Sequence, residues 1–240
     1  MRVSIIIPTY NERKNIVPLI QDLVKISKEH KLNFEIIIVD DNSPDKTAEA
    51  VSELRNKNKK LRNKLHLINR PRKEGLGKAY FEAFKYVLNT KTDYVITMDA
   101  DFSHNPQDIL RLLEKVRGFD VVVGSRYING GNMLEIPSKK IISKIAISLA
   151  RGMLNLKTHD VTTGFKCYSR RFIEYIKPNG IDASGYAFQF EMIKKAEEGG
   201  FKVAEVPIIF SARKQGVSKL TFKEAIDSAF TLFEIFWKEK

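Results

Sequence analysis

Five short apolar runs recur along the first half of the chain, separated by helical patterns. The runs are VSIIIP (3–8), FEIIIVDD (34–41), LHLINR (65–70), YVITMDA (94–100) and DVVVGSRY (120–127). They are rich in β-branched residues and about as long as a strand. Asn11 caps a helix that reaches about residue 30, and Ser43 with Pro44 supplies a cap and a first-turn proline for a second helix to about residue 58. LGKAYFEAFKYVLN (76–89) spaces its apolar residues as a helix does, and Asn105 opens another helix in NPQDILRLLEKV. Apolar strands alternating with helices predict an α/β fold with a mostly parallel central sheet and helices on both faces. At 240 residues and 43% hydrophobic content the chain can build one large core. Residues 1–220 read as that domain, and 221–240 as an appended amphipathic helix that faces a membrane or a partner.

Sheets of this kind bind ligands beyond the carboxyl ends of their strands. Polar residues gather there: Thr9 to Glu12, Asp40 and Asp41, Asp99 and Asp101, Ser125 and Arg126. Twelve Asp in 240 residues give roughly 0.6 Asp-x-Asp triplets by chance. The triplet at 99–101 therefore counts because of its place at this edge. Two carboxylates so close repel unless a positive charge lies between them, so the pair reads as a cation site. No G-x-G-x-x-G and no G-x-x-x-x-G-K-[ST] occurs. A bound phosphate must be neutralised by a cation and by basic side chains instead.

The second half is less regular. SKKIISKIAISLARGMLNL (138–156) sets Ile141, Ile142, Ile145 and Leu149 against Lys139, Lys140, Lys144 and Arg151, an amphipathic helix with a basic face. TTGFKCYS (162–169) and KVAEVPIIF (202–210) are strand-like, ARKQGVSK (212–219) is a basic loop, and Phe230, Phe233, Phe236 and Trp237 close the chain. The net charge of +12 favours anionic partners. Nucleic acid is not among them, because the densest basic run, RNKNKKLRNK (55–64), has no interleaved aromatic residue. The opening MRVSIIIPTY enters a strand directly and does not read as a signal peptide. The single cysteine, Cys167, fits a reducing cytosol and reads as an inert packing residue.

The motifs PTYNE (8–12), VDDNSPDKT (39–47), MDADFSH (98–104) and GSRY (124–127) resemble the family 2 glycosyltransferases of the GT-A fold. RPRKEGLGKAY (70–80), DVTTGFK (160–166), FQFEM (188–192) and EVPIIFSARKQGVSK (205–219) narrow the resemblance to its dolichyl-phosphate mannose synthase branch, in the same order along about residues 3–219. The resemblance implies transfer of mannose from GDP-mannose to a dolichyl or other polyprenyl phosphate in one inverting displacement. It implies a nucleotide-sugar site made of Pro8, Tyr10, Glu12, Val39, Asp41, Asp99, Ala100, Asp101, Arg126, Arg213 and Lys219. It further implies Asp99 and Asp101 as ligands of Mg²⁺ or Mn²⁺, and Asp101, Arg126 and Arg213 as catalytic residues. Two positions depart from the family pattern: Lys46 replaces a frequent glycine, and Ser103 replaces a glutamine that ligates the metal in some members.

The residues agree with that chemistry in one respect, since none stands out as a covalent nucleophile. A phosphate monoester, with a second pKa near 6, is anionic at pH 7 and needs no strong base. His104 is the one histidine next to the metal site. A polyprenyl substrate places the enzyme at the cytosolic face of a membrane as a peripheral protein, with a small membrane-anchor subunit as a partner some relatives use. A polyprenyl-phosphate glucosyltransferase that uses a UDP-sugar is the alternative within the class.

Overall fold

A computed structural model of the 240-residue chain describes residues 1–134, 148, 151–152, 155–176 and 187–211. The strands are β1 (Arg2–Thr9), β2 (Asn33–Asp40), β3 (Leu65–Asn69), β4 (Tyr94–Thr97), β5 (Val121–Ser125), β6 (Asn132–Met133), β7 (Lys166–Ser169), β8 (Val203–Pro207) and β9 (Ile209–Phe210). The helices are α1 (Arg13–Glu29), α2 (Thr47–Lys57), α3 (Leu76–Leu88), α4 (Ile109–Lys115), α5 (Arg170–Ile176) and α6 (Ala187–Glu198). Seven strands form one sheet in the order β3-β2-β1-β4-β7-β5-β8, and β6 pairs with β9 apart from it.

Period-two alternation divides the core. Ile6, Ile37, Val39, Val121 and Val123 face a cluster with Phe84 of α3, Phe172 of α5 and Phe188 of α6. Val3, Ile5, Ile7, Ile36, Ile38 and Val122 face the opposite cluster with Ile16, Leu19 and Leu23 of α1 and Leu112 of α4. Both faces are dry, so the strands read as continuous apolar runs. The expected α/β sandwich is present.

One strand departs from the parallel order. β7 runs antiparallel to both neighbours, with Lys166 opposite Thr97 of β4 and Val123 of β5. Its reversed direction decides the site. The amino end of β7 lies at the same edge as the carboxyl ends of β1, β2, β4 and β5, which brings residues 160–166 to the place where ligands bind.

Two helix starts differ from expectation. α1 begins after Glu12, with Asn11 in the left-handed region at φ 57°. α2 begins at Thr47, because Ser43 gives both its N–H and its hydroxyl to Asp40 instead of capping a helix. The helices expected over 138–156 and 221–240 and the basic loop 212–219, with Arg213 and Lys219, lie outside the described residues.

Candidate active site

The loops after β1 and β2 fasten each other. Ser43 Oγ accepts the Asn11 N–H at 3.0 Å, Thr47 Oγ1 accepts the Glu12 N–H at 3.0 Å, and Asp45 Oδ2 accepts the Arg13 N–H at 3.0 Å. Amide donors at the start of α1, which no helical carbonyl can satisfy, thus find partners in the neighbouring loop. Asp40 is the buried anchor: it takes the Thr9 hydroxyl at 2.8 Å and both donors of Ser43.

Asp41 sits beyond this anchor and is bonded through Oδ1 to Arg70 Nη1 at 2.5 Å. Burial raises its carboxyl above the usual range, against the opposing charge of Arg70. Arg70 also reaches Glu74 at 3.2 Å and is itself buried. Lys73 Nζ stands 5.3 Å from the centre of the Tyr10 ring. Glu12 is buried and accepts from Asn15 Nδ2 at 2.8 Å. Pro8 and Val39 are partners across β1 and β2. Val39 is in the core and Ala100 is buried, so each offers a ligand main chain rather than side chain.

The aspartate pair lies in a bend, not in an extended strand. β4 ends at Thr97, and Phe102 takes φ 63°. The separation expected from strand alternation is achieved by this bend instead. Asp101 is buried, with Oδ1 taking the Ser103 N–H at 3.0 Å and the Ser103 hydroxyl at 2.6 Å. The side chain of Asp99 is 37% exposed. Its N–H donates to His104 Nδ1 at 3.3 Å, so that nitrogen is occupied and is not a metal ligand. Burial holds the His104 pKa below its usual value, outweighing Asp99 and Asp101.

These residues fit a hard divalent ion. One buried and one open carboxylate supply hard oxygen donors, and Mg²⁺ or Mn²⁺ in phosphate sites takes one or two carboxylates and completes its shell from phosphate and water. Among the described residues no three His, Cys, Asp or Glu side chains gather into an all-protein cage. Ser103, at the position of the family's glutamine, spends its hydroxyl on Asp101 and so supports that carboxylate.

Arg126 follows β5 and meets the segment before β7. Its Nε bonds Asp160 Oδ2 at 2.7 Å, and its Nη2 bonds Asp160 Oδ1 at 2.8 Å and Thr162 Oγ1 at 2.6 Å. Burial works to lower the Arg126 pKa, and the hydrogen bonds and charge of Asp160 more than reverse it. For Asp160 burial works to raise the carboxyl pKa, and Arg126 holds it below the usual range. Glu205 of β8 fixes Asp160 in turn, taking the Asp160 N–H at 3.0 Å and the His159 N–H at 2.9 Å. Behind them Lys166 is fully buried and donates to Thr163 O and Gln189 Oε1, each at 2.5 Å. Burial pushes its pKa down to about 7.

The edge therefore brings together Pro8, Tyr10, Glu12, Val39, Asp41, Asp99, Ala100, Asp101 and Arg126. Sequence reading gave no role to Arg70, Asp160, Lys166 or Gln189, although each lies in a quoted motif. Their signal is a charge pairing between distant segments, which spacing does not reveal. Cys167 is buried in the sheet, and burial raises its thiol pKa, as an inert packing residue requires.

Residues 4–176 match the family described as "Glycosyl transferase family 2". The chain belongs to that family. Along with it come the family's expected fold and class of enzyme: this is a glycosyltransferase with a mostly parallel sheet flanked by helices. It is 37% identical over 237 residues to "Polyprenol monophosphomannose synthase" of Mycolicibacterium smegmatis, covering 97% of this chain and 86% of that protein. It is 37% identical over 226 residues to "Undecaprenyl-phosphate mannosyltransferase" of Micrococcus luteus, covering 92% of this chain and 88% of that protein. Among solved structures, mannosyl-3-phosphoglycerate synthase from Rubrobacter xylanophilus superposes with a TM-score of 0.70 at 19% identity, over 100% of this chain and 74% of that one. Glucosyl-3-phosphoglycerate synthase from Mycobacterium tuberculosis, in complex with Mn²⁺, UDP and glucosyl-3-phosphoglycerate, gives 0.68 at 15% identity, over 98% and 79%. These structural likenesses show the fold.

Proposed function

We propose that this glycosyltransferase moves mannose from GDP-mannose to a polyprenyl phosphate of the dolichyl type, with inversion, giving polyprenyl-phosphate mannose and GDP. The observation that carries the reading is the 37% identity along 97% of the chain to a protein named polyprenol monophosphomannose synthase, because it spans the acceptor side as well as the nucleotide side.

In this reading Tyr10, Glu12, Asp41 and the main chain at Pro8, Val39 and Ala100 hold the nucleotide. Asp99 and Asp101 would hold Mg²⁺ or Mn²⁺. When bound, that ion supplies positive charge at the leaving diphosphate. Arg126, Arg213 and Lys219 are the cations assigned to the phosphates, Arg as a planar fork and Lys as a point charge. Arg126 has Nε and Nη2 fixed on Asp160, so it presents Nη1 from a rigid mount and loses little freedom on binding. The acceptor phosphate oxygen forms a bond to the anomeric carbon as the bond from that carbon to the diphosphate breaks, and GDP leaves with the electron pair. The acceptor is already anionic, so no residue need remove a proton.

A polyprenyl chain leaves the bilayer at a cost of about 0.8 kcal/mol per CH₂, so the enzyme must go to it. Among the described residues no helix is long and apolar enough to cross a membrane. The sequence supports peripheral attachment to the cytosolic leaflet through the basic amphipathic stretch 138–156 and the aromatic stretch 221–237. A small membrane-anchor subunit would serve the same end.

The test is incubation of the chain with GDP-mannose, Mn²⁺ and a polyprenyl phosphate, with UDP-glucose in parallel. A mannolipid formed from GDP-mannose, and lost in excess chelator and in Asp101→Asn, is the expected result. A glucolipid formed from UDP-glucose alone would transfer the reading to the UDP-sugar enzymes, and no glycolipid from either donor would overturn it.

A further inference from the structure

Phe210 occupies a position that none of the site roles above explains. The path to it begins with Pro207, which ends β8 and has no N–H to extend a ladder. Ile208 then donates its N–H to Ser125 O at 3.0 Å, and the chain leaves the main sheet to pair with β6. Ile209 is exposed, whereas Phe210 turns back over the carboxyl edge.

The Phe210 ring touches two parts of the site at once. The guanidinium carbon of Arg126 lies 5.2 Å from its centre, a cation–π distance. The His104 ring meets it at 5.4 Å and 69°, an edge-to-face pair. His104 stacks on Phe165 at 5.0 Å and 15°, and accepts the N–H of Asp99. The main chain pins the ring in place. Leu134 N–H donates to Phe210 O at 2.8 Å, and Ser211 N–H donates to Ser103 O at 3.0 Å. Ser103 is the residue that supports Asp101. Three residues beyond Phe210 comes Arg213, the first cation of the R-x-x-G-x-S-K segment.

We propose that Phe210 is a positioning residue for the transfer reaction. Its ring holds the Arg126 guanidinium and the Asp99–Asp101 bend in one fixed relation, and its main chain fixes the point from which Arg213 and Lys219 are delivered. The proposal rests on the phosphate-binding role given to Arg126 above. It requires a ring at this position, because an aliphatic side chain of similar size fills space but offers neither a negative face to the guanidinium nor an edge-to-face partner to the imidazole.

The comparison is Phe210→Leu against Phe210→Tyr, with the exposed neighbour Ile209→Ala as control. From the usual size of one cation–π and one aromatic contact, Phe210→Leu should lower kcat roughly tenfold or more, while the thermal midpoint and the affinity for GDP stay near wild type. Phe210→Tyr and Ile209→Ala should turn over within about threefold of wild type, since the tyrosine keeps the ring contacts. The Arg126 Nε–H, held on Asp160, supplies a second readout by NMR that needs no acceptor. Its ring-current shift should vanish in the leucine variant together with a change in the His104 ring signals. Wild-type turnover in Phe210→Leu, equal failure of the tyrosine variant, loss of activity only with loss of the fold, or an unmoved Arg126 signal would each overturn the proposal. If the wild type forms no mannolipid, the function reading fails on its own and the NMR comparison still decides the role of Phe210.

Discussion

Asp160 holds Arg126 through both carboxylate oxygens, at 2.7 Å to Nε and 2.8 Å to Nη2, with the carboxylate wholly out of solvent. Removing one member of such a pair leaves the other charge buried alone. Asp160→Ala should therefore cost about 3–5 kcal/mol of stability by urea unfolding at neutral pH. Because Arg126 holds the folded carboxyl below its unfolded pKa, the stabilisation is complete above the unfolded value and is lost as pH falls through the folded one. The wild type should lose stability in acid more steeply than the variant. A cost below about 1 kcal/mol would show that Arg126 finds water or another anion in place of Asp160.

Gly164 faces Asp99 at close range. A Cβ at Gly164 would lie 3.1 Å from Asp99 Oδ1, tighter than an ordinary contact. Asp99 is partly exposed and can swing aside, so Gly164→Ala should change stability by less than about 1 kcal/mol, the usual range for a change that meets a movable side chain. The displaced carboxylate should weaken Mn²⁺-dependent nucleotide binding, read by calorimetry with GDP. Unchanged binding would place Asp99 outside the ion site.

The fold was legible in the sequence wherever local pattern decides it. Apolar runs and helical spacing located β1 to β5 and α3, because strands buried on both faces must be apolar throughout. The direction of β7 was not legible. TTGFKCYS reads as a strand whichever way it runs, and its neighbours β4 and β5 are far off in sequence. That reversal is what delivers Asp160 to Arg126, so the pair stayed hidden even though both residues lay in quoted motifs. Ser43 and Pro44 misled for a related reason: a serine that satisfies a buried aspartate looks in sequence like one that caps a helix.

Lys46 marks a place where a departure in sequence has a structural meaning. It precedes α2 at φ 64°, a conformation that costs a residue with a side chain roughly 1–2 kcal/mol and costs glycine little. The family's frequent glycine suits this backbone. Lys46→Gly should raise stability by about 0.5–1 kcal/mol after the greater chain entropy of glycine in the unfolded state is deducted. Chemical denaturation measures it, and a loss of stability would mean that the lysine side chain makes a contact that outweighs the strain.

Lys166 sets the pH dependence on the basic side. Its folded pKa is pushed down to about 7 by burial, from an ordinary value of 10.5, in spite of Asp160 and Asp99. The unfolded chain therefore binds more protons than the folded one between these values, and stability must rise with pH across that window. The penalty of burying the ammonium is complete below the folded pKa and is relieved as pH climbs toward the unfolded one. Neutral Lys166 keeps both of its hydrogen bonds, because Thr163 O and Gln189 Oε1 need only two N–H donors. Lys166→Met removes the titration. Urea unfolding between about pH 7 and 10 should show wild-type stability gaining on the variant by up to roughly 1.4 kcal/mol per pH unit, the value for one proton. Parallel curves for the two proteins would mean that the buried amine stays protonated throughout, held as a cation by Asp160 and Asp99.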